Sequence, residues 1–291
     1  MKIVKQPYIT NYELRKLEKH LKKIKNGEYE PYITVRRSNS VGLSHIVFSH
    51  KTKRCHHLFS LGELALFFHL EHDPEVLDIQ EQYPLPINET LEWAKHLNYR
   101  HPAKYKERDG KDIPAATMTT DFVVTLYDAT RDQLGIQPYN YKPSSALSTE
   151  FESPQKVTRT QQKFKIEEMY WGHYNHYLTQ ITDEDLNPNK TYNLQWLRET
   201  YHHVRESQIE GPLCEGMLNT LTKSLINAPE KTLKQHLNHA SLVHDVTELA
   251  ALEIFQHLVY SGQLDVDLNE RIEVFRPVMT VSYTHLRAHE T

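Results

Sequence analysis

The amino-acid sequence predicts a mixed α/β domain followed by a mostly helical one. Residues 122–126, Phe-Val-Val-Thr-Leu, and residues 135–142 read as two strands of an antiparallel hairpin, and a long helix over 158–177 leads to a short closing strand at 178–181. Strands and helices thus alternate around one sheet. From residue 183 onward strong strand signals give way to helices with polar, histidine-containing faces. A chain of 291 residues exceeds what one small core usually holds. We therefore place a first domain at 1–185 and a second at 186–280.

In chain order, residues 11–24 carry Leu14, Leu17 and Leu21 at helical spacing, with Gly27 as the stop. Residues 32–35 and 44–48 are strand-like and suggest a hairpin, and residues 50–54, His-Lys-Thr-Lys-Arg, form a basic turn before His57, Leu58 and Phe59. Ser60 opens a helix with Leu61, Leu64, Ala65, Phe67, Phe68 and Leu70 apolar. Residues 76–79 and 81–85 read as short extended pieces, 89–97 as a helix capped by Asn88, and 101–114 as a polar, mobile loop. Tyr170 and Trp171 on the long helix read as core packing. In the second domain, 231–237, 242–249 and 250–261 read as helices, and 262–267 with 271–275 as a small hairpin. Three helices and a hairpin suggest a winged helix-turn-helix.

The formal net charge of -4 hides an uneven distribution. Residues 1–60 hold 13 lysines and arginines against 4 acids, a basic arm able to follow a phosphate backbone with salt-dependent affinity. A solvated helix face over 13–25 accounts for many of the same charges. In the second domain acids exceed bases, which favours a protein partner at least as much as DNA. The two cysteines, Cys55 and Cys214, lie far apart and read as packing residues of a reduced, cytoplasmic chain. No apolar run approaches a membrane span, and the first residues lack the apolar core of a signal peptide. The 19 histidines include His56-His57, His202-His203, and His236 with His239, but two distant cysteines supply no zinc-ribbon spacing.

Three separated patches carry the chemistry: Ser60-Leu61-Gly62-Glu63, Met118-Thr119-Thr120-Asp121-Phe122, and Tyr139-Asn140-Tyr141-Lys142-Pro143. Carboxylate, carboxylate, amide-x-lysine is an order suited to phosphodiester hydrolysis. That reaction needs a hard divalent cation, for which Asp121 and Glu63 supply oxygen ligands. Lys142 can activate the attacking water and offset charge growing on the phosphoryl oxygens. On a strand, Asn140 and Lys142 share a face, and the Tyr141 carbonyl can reach the metal between them. Each residue also has an ordinary reading. Ser60-x-x-Glu63 is a capping box, Asp121 a strand-entry residue, and Lys142 a solvent-facing strand lysine.

With these pieces assembled, the chain resembles the TnsA family, the endonuclease subunits of heteromeric cut-and-paste transposases. The resemblance is carried by residues 44–85 (SHIVFSHKTKRCHHLFSLGELALFFHLEHDPEVLDIQEQYPL), RHP at Arg100, TMTTDFVV at Thr117, YKPSSAL at Tyr141 and EEMYW at Glu167. It covers most of residues 28–190. It implies a restriction-endonuclease-like, PD-(D/E)xK fold with catalytic Glu63, Asp121 and Lys142, and a metal site of Glu63, Asp121, Asn140 and the Tyr141 carbonyl. Asn140 stands where the family usually has glutamine, an amide one methylene longer. The resemblance further implies a Mg²⁺ cofactor, with Mn²⁺ able to substitute, and double-stranded DNA at transposon ends as substrate. It also implies two partners: a TnsB-like integrase-fold transposase subunit that cuts and joins the 3′ ends, and a TnsC-like ATP-dependent regulator. This chain would cut the 5′ ends in the bacterial cytosol, with sequence recognition coming mainly from the partner.

Two other readings stay open. The chain is an assembly subunit linking transposase to regulator, impaired in catalysis by Asn140, or it is an independent restriction-type nuclease on the same fold. Residues 281–291 do not continue the preceding pattern and resemble translated sequencing-adapter read-through, so we set them apart as a non-native tail.

Overall fold

The computed structural model describes residues 3–37, 43–108, 110, 112–130, 132–206 and 211–280, with backbone alone for 202–206. The tail at 281–291 and the His202 and His203 side chains lie outside the described residues. Contacts divide the chain into two compact units, residues 1–185 and 186–291.

The first unit begins with α1 (Asn11–Lys25), which Thr10 caps by accepting the Glu13 N–H at 3.2 Å and which gives way at Gly27, φ +81°. Its apolar face packs Leu17 against Ile87 and Ala115. Glu13 is buried on that helix because Tyr32, Thr117 and the Lys104 ammonium all donate to it, the last at 2.8 Å. Burial raises its pKa, but these donors outweigh burial and hold it below the ordinary value. The Lys104 contact helps anchor the loop expected to be mobile. Backbone bonds between Tyr8 and both Ile113 and Ala115 tie it further.

The next hairpin corrects the sequence reading. Strand β1 (His45–Ser49) pairs with β2 (Arg54–Leu58), and residues 32–35 form no strand. Ser49 Oγ accepts the N–H groups of Lys51 and Thr52, and Lys53 adopts φ +58°, so the basic turn closes directly onto β2. The Tyr32 and Val35 N–H groups go instead to the Gln82 carbonyl and to His57 Nδ1.

Helix α2 (Leu61–His72) precedes β3 (Val76–Pro84), one nine-residue strand where two pieces were expected. Its irregularities, a register shift between Val76 and Asp78 and φ +52° at Gln82, hide that continuity in the sequence. Helix α3 (Ile87–His96) starts from Pro86 rather than an Asn88 cap. Strands β4 (Thr119–Asp128) and β5 (Gln133–Tyr141), helix α4 (Pro154–His173) and strand β6 (Thr179–Ile181) complete the unit. The sheet order is β3-β4-β5-β6, antiparallel up to β5 and parallel between β5 and β6. Tyr170 and Trp171 of α4 pack in a core with Ile166, Met118 and Val123, as the sequence suggested.

The second unit comprises α5 (Pro188–Glu206), α6 (Gly211–Asn227), α7 (Leu233–His244) and α8 (Glu248–Tyr260). Leu197, Met217, Leu221, Leu237, Ile254 and Phe255 form its centre. Helices α5 and α6 were not separately delineated from sequence. The helix expected at 242–249 is interrupted, because Asp245 adopts φ +51° as the C-cap of α7 and Thr247 caps α8. The hairpin expected at 262–267 and 271–275 does not form. Val266 bridges Thr280 and Thr232 bridges Pro277, while buried Asn193 donates to the Leu268 and Glu270 carbonyls and accepts the Ile272 N–H. No helix among the described residues is long and apolar enough to cross a membrane.

Candidate active site

Glu63 sits in the first turn of α2, where Ser60 Oγ accepts its N–H at 3.0 Å. Only half of the expected capping box forms. The Glu63 carboxylate accepts the Phe59 N–H at 2.9 Å, one residue before the cap, and so turns back toward β2. Burial, reinforced by the Asp121 carboxylate, pushes Glu63 up to about 7.

The β4–β5 register, with Phe122 opposite Tyr139, brings Asp121 beside the end of β5. The Asp121 N–H donates to Asn140 Oδ1 at 2.9 Å, and the Tyr141 N–H donates back to Asp121 Oδ2 at 2.9 Å. The Lys142 ammonium donates to the Tyr141 carbonyl at 2.8 Å and lies 3.6 Å from Asp121 Oδ2. The Asp121 charge raises the pKa of Lys142 against the opposing effect of burial, so the side chain stays cationic. Gly62 ties the two elements together. A Cβ there would overlap the Tyr141 ring, so only glycine lets this end of β5 pack against the start of α2.

One residue of the site escaped the sequence reading. Glu167 on α4 is buried, accepts the Thr120 hydroxyl at 2.6 Å and accepts Asn140 Nδ2 at 2.6 Å, while Trp171 Nε1 donates to the same Thr120 oxygen at 2.9 Å. Burial pushes its carboxyl up to about 8. Its signal was available: an acid on a helix face otherwise made of Ile166, Tyr170 and Trp171. Asn140 is therefore engaged at both ends of its amide.

The structure thus brings Asp121, Asn140, Tyr141 and Lys142 together, and places Glu63 close enough for its charge to act on both Asp121 and Lys142. A cavity of about 280 Å³ is lined by Asp121, Asn140, Lys142 and Glu167, with Thr160 and Lys163 from α4. Glu63 lies outside that lining. Two carboxylates and a backbone carbonyl are hard oxygen donors, the chemistry that suits Mg²⁺ with substrate and water completing the shell. Among the described residues no group of three or more His, Cys, Asp or Glu side chains is arranged to hold a metal ion.

Comparison with known proteins agrees with this chemistry. A family described as TnsA-like endonuclease N terminal matches residues 73–183, which include Asp121, Asn140 and Lys142 but not Glu63. A second, described as TnsA endonuclease C terminal, matches residues 185–268. The chain is 37% identical over 235 residues to the transposon Tn7 transposition protein TnsA of Escherichia coli, covering 81% of this chain and 78% of that protein. The similarity places the chain in the class of transposition nucleases, with a mixed α/β N-terminal domain and a helical C-terminal region. More particularly, it belongs to the TnsA family, the endonuclease subunits of Tn7-like cut-and-paste transposases.

Proposed function

We propose that this protein is a Mg²⁺-dependent endonuclease that hydrolyses phosphodiesters at the 5′ ends of a transposon. It works in the cytosol with a TnsB-like transposase subunit and a TnsC-like ATP-dependent regulator. The first unit, 1–185, is read as a restriction-endonuclease-like, PD-(D/E)xK catalytic domain, and 186–280 as a winged-helix-like domain. The observation that carries the proposal is the Lys142 ammonium against both the Asp121 carboxylate and the Tyr141 carbonyl.

Glu63, Asp121 and the Tyr141 carbonyl would hold the metal. Asn140 belongs to the same site indirectly, because its amide oxygen already accepts the Asp121 N–H. When bound, Mg²⁺ supplies Lewis-acid polarisation of the phosphate and a more acidic water, and Mn²⁺ fits the same oxygen donors. Glu63, buried beside Asp121, would bind the metal or orient a metal-bound water. Lys142, raised rather than lowered, serves as a fixed positive charge for the phosphoryl oxygens instead of a base. Asp121 orients the Tyr141 peptide through its N–H. The basic arm supports backbone contact: Lys16, Arg36, Arg37 and Arg54 line a cleft of about 570 Å³, and Lys16 lies 4.1 Å from the Tyr32 ring centre.

The test is reconstitution with the transposase and regulator encoded beside this chain, mapping cut strands in Mg²⁺. Wild type should cut the 5′ ends, and Asp121→Ala should leave only 3′ cuts. If both proteins give only 3′ cuts in an intact assembly, the alternative of a catalytically impaired assembly subunit replaces this reading. The commitment of the Asn140 amide within the protein is the observation that favours that alternative.

A further inference from the structure

Helix α4 carries Arg159 and Lys163 four residues apart, and Glu167 enters the candidate site four residues further on. Helical periodicity puts these three on one face, with Thr160 beside them. Two cavities meet along this face. The one of about 280 Å³ contains Asp121, Asn140 and Lys142, and a second of about 430 Å³ continues toward Glu152 and Lys156. Thr160 and Lys163 line both, so the catalytic cavity opens past Lys163 into a further cleft.

Two cations along this passage, Arg159 and Lys163, lack an acid partner among the described residues. Among the described residues Lys163 has no carboxylate partner, and Arg159 donates only to the neutral oxygens of Arg100 and Gln162. Other lysines of the same helix are matched, Lys156 with Glu152 at 2.9 Å and Lys165 with Glu168 at 3.0 Å. Burial first, then the like charges of Arg159 and Lys142, holds Lys163 below its ordinary pKa. Asp121 meets the charge of Lys142, but Arg159 and Lys163 beside it are left for an anion that passes both. A nucleic-acid backbone, with one charge at every phosphate, has that form.

We propose that this face of α4 is a phosphate track, on which Lys163, with Arg159 and the Thr160 hydroxyl, binds the backbone of the strand being cut next to the phosphodiester at Asp121 and Lys142. The proposal rests on the nuclease reading above and adds to it the residues that position substrate. Lys163 would contact a neighbouring phosphate and not the bond that breaks, so its loss should weaken binding more than it slows chemistry.

Binding of the full chain to a short labelled transposon-end duplex is measured by fluorescence anisotropy across a salt series, with Ca²⁺ in place of Mg²⁺ so that binding is read without cutting. Lys163→Ala should weaken binding several-fold and lower the slope of log K against log salt by about 0.9, one phosphate contact. Lys163→Arg should restore both, and Lys165→Ala should behave as wild type. In the reconstituted reaction Lys163→Ala should raise the DNA concentration for half-maximal 5′ cutting and leave the maximal rate within a few-fold. Equal thermal unfolding of the variants establishes that each is folded. If Lys163→Ala and Lys165→Ala match in affinity and slope while wild type cuts 5′ ends, the track is refuted and the nuclease reading stands. If wild type neither binds the duplex nor cuts 5′ ends, the nuclease reading falls, and the track with it.

Discussion

Asn140 and Glu167 meet at 2.6 Å, amide nitrogen to carboxylate oxygen, inside the first unit. Through this bond a helix 27 residues downstream sets the amide that accepts the Asp121 N–H. Glu167→Ala would leave the Thr120 hydroxyl and Asn140 Nδ2 buried without acceptors, roughly 1–3 kcal/mol for each. We expect 5′-strand cutting to fall by about 10–100-fold, the scale of lost support around a metal site. Rates of 5′ and 3′ cutting measured together check this, since 3′ cuts should persist. An unchanged 5′ rate would show that Asp121 is held without this bond.

Gly62→Ala places a methyl group into the Tyr141 ring. Overpacking of this kind costs about 1–3 kcal/mol and displaces either α2 or the end of β5. Thermal unfolding and 5′ cutting should both suffer. In a Tyr141→Ala background the same substitution should cost little more, because the clash is gone while the residue 141 carbonyl remains. Additive losses in that cycle would place the damage elsewhere.

His101 is fully buried, with Nδ1 2.9 Å from the Pro102 carbonyl and Nε2 3.0 Å from the Thr90 hydroxyl. Burial holds its imidazole down to about 4, from an ordinary 6.5. The unfolded chain therefore takes up the proton first as pH falls. The stability owed to neutral His101 is complete above pH 6.5 and is lost progressively toward pH 4, in total about 3 kcal/mol. Urea unfolding of wild type and His101→Asn at pH 7, 5.5 and 4 should show the gap between them narrowing by about that amount. A gap independent of pH would rule out the ionisation.

In the second unit, Asn193→Ala removes three bonds to the 268–272 segment at once. The loss should reach roughly 3 kcal/mol. Amide exchange in residues 266–280 should accelerate sharply, with α4 and the sheet of the first unit unaffected. Uniform protection across both units would contradict the pinning role.

Much of the fold was legible because its signals are local. The Leu14, Leu17, Leu21 spacing, the Gly27 stop and the apolar run of β4 depend on neighbours along the chain, and the structure keeps them. The hairpin failed as read because strand-like residues 32–35 lost to a partner, β2, that starts at Arg54 just after β1 ends at Ser49, once Ser49 and Lys53 closed the turn. The 242–249 helix failed because one left-handed residue, Asp245, ends α7 and lets Thr247 start α8. Such backbone choices leave little trace in composition.

For the site, the sequence by itself determined which residue types were available: the carboxylates Glu63 and Asp121, the Asn140 amide, Lys142, and the strings that mark the family. Only the tertiary structure decided their surroundings and bonds. Burial beside Asp121 raises the pKa of Glu63, while the Asp121 charge raises that of Lys142 against the effect of burial. Glu167 and Lys163 joined the site only when α4 packed against the sheet. Desolvation and through-space contact act between residues far apart in the chain, and so they are written in the fold rather than in the order of the amino acids.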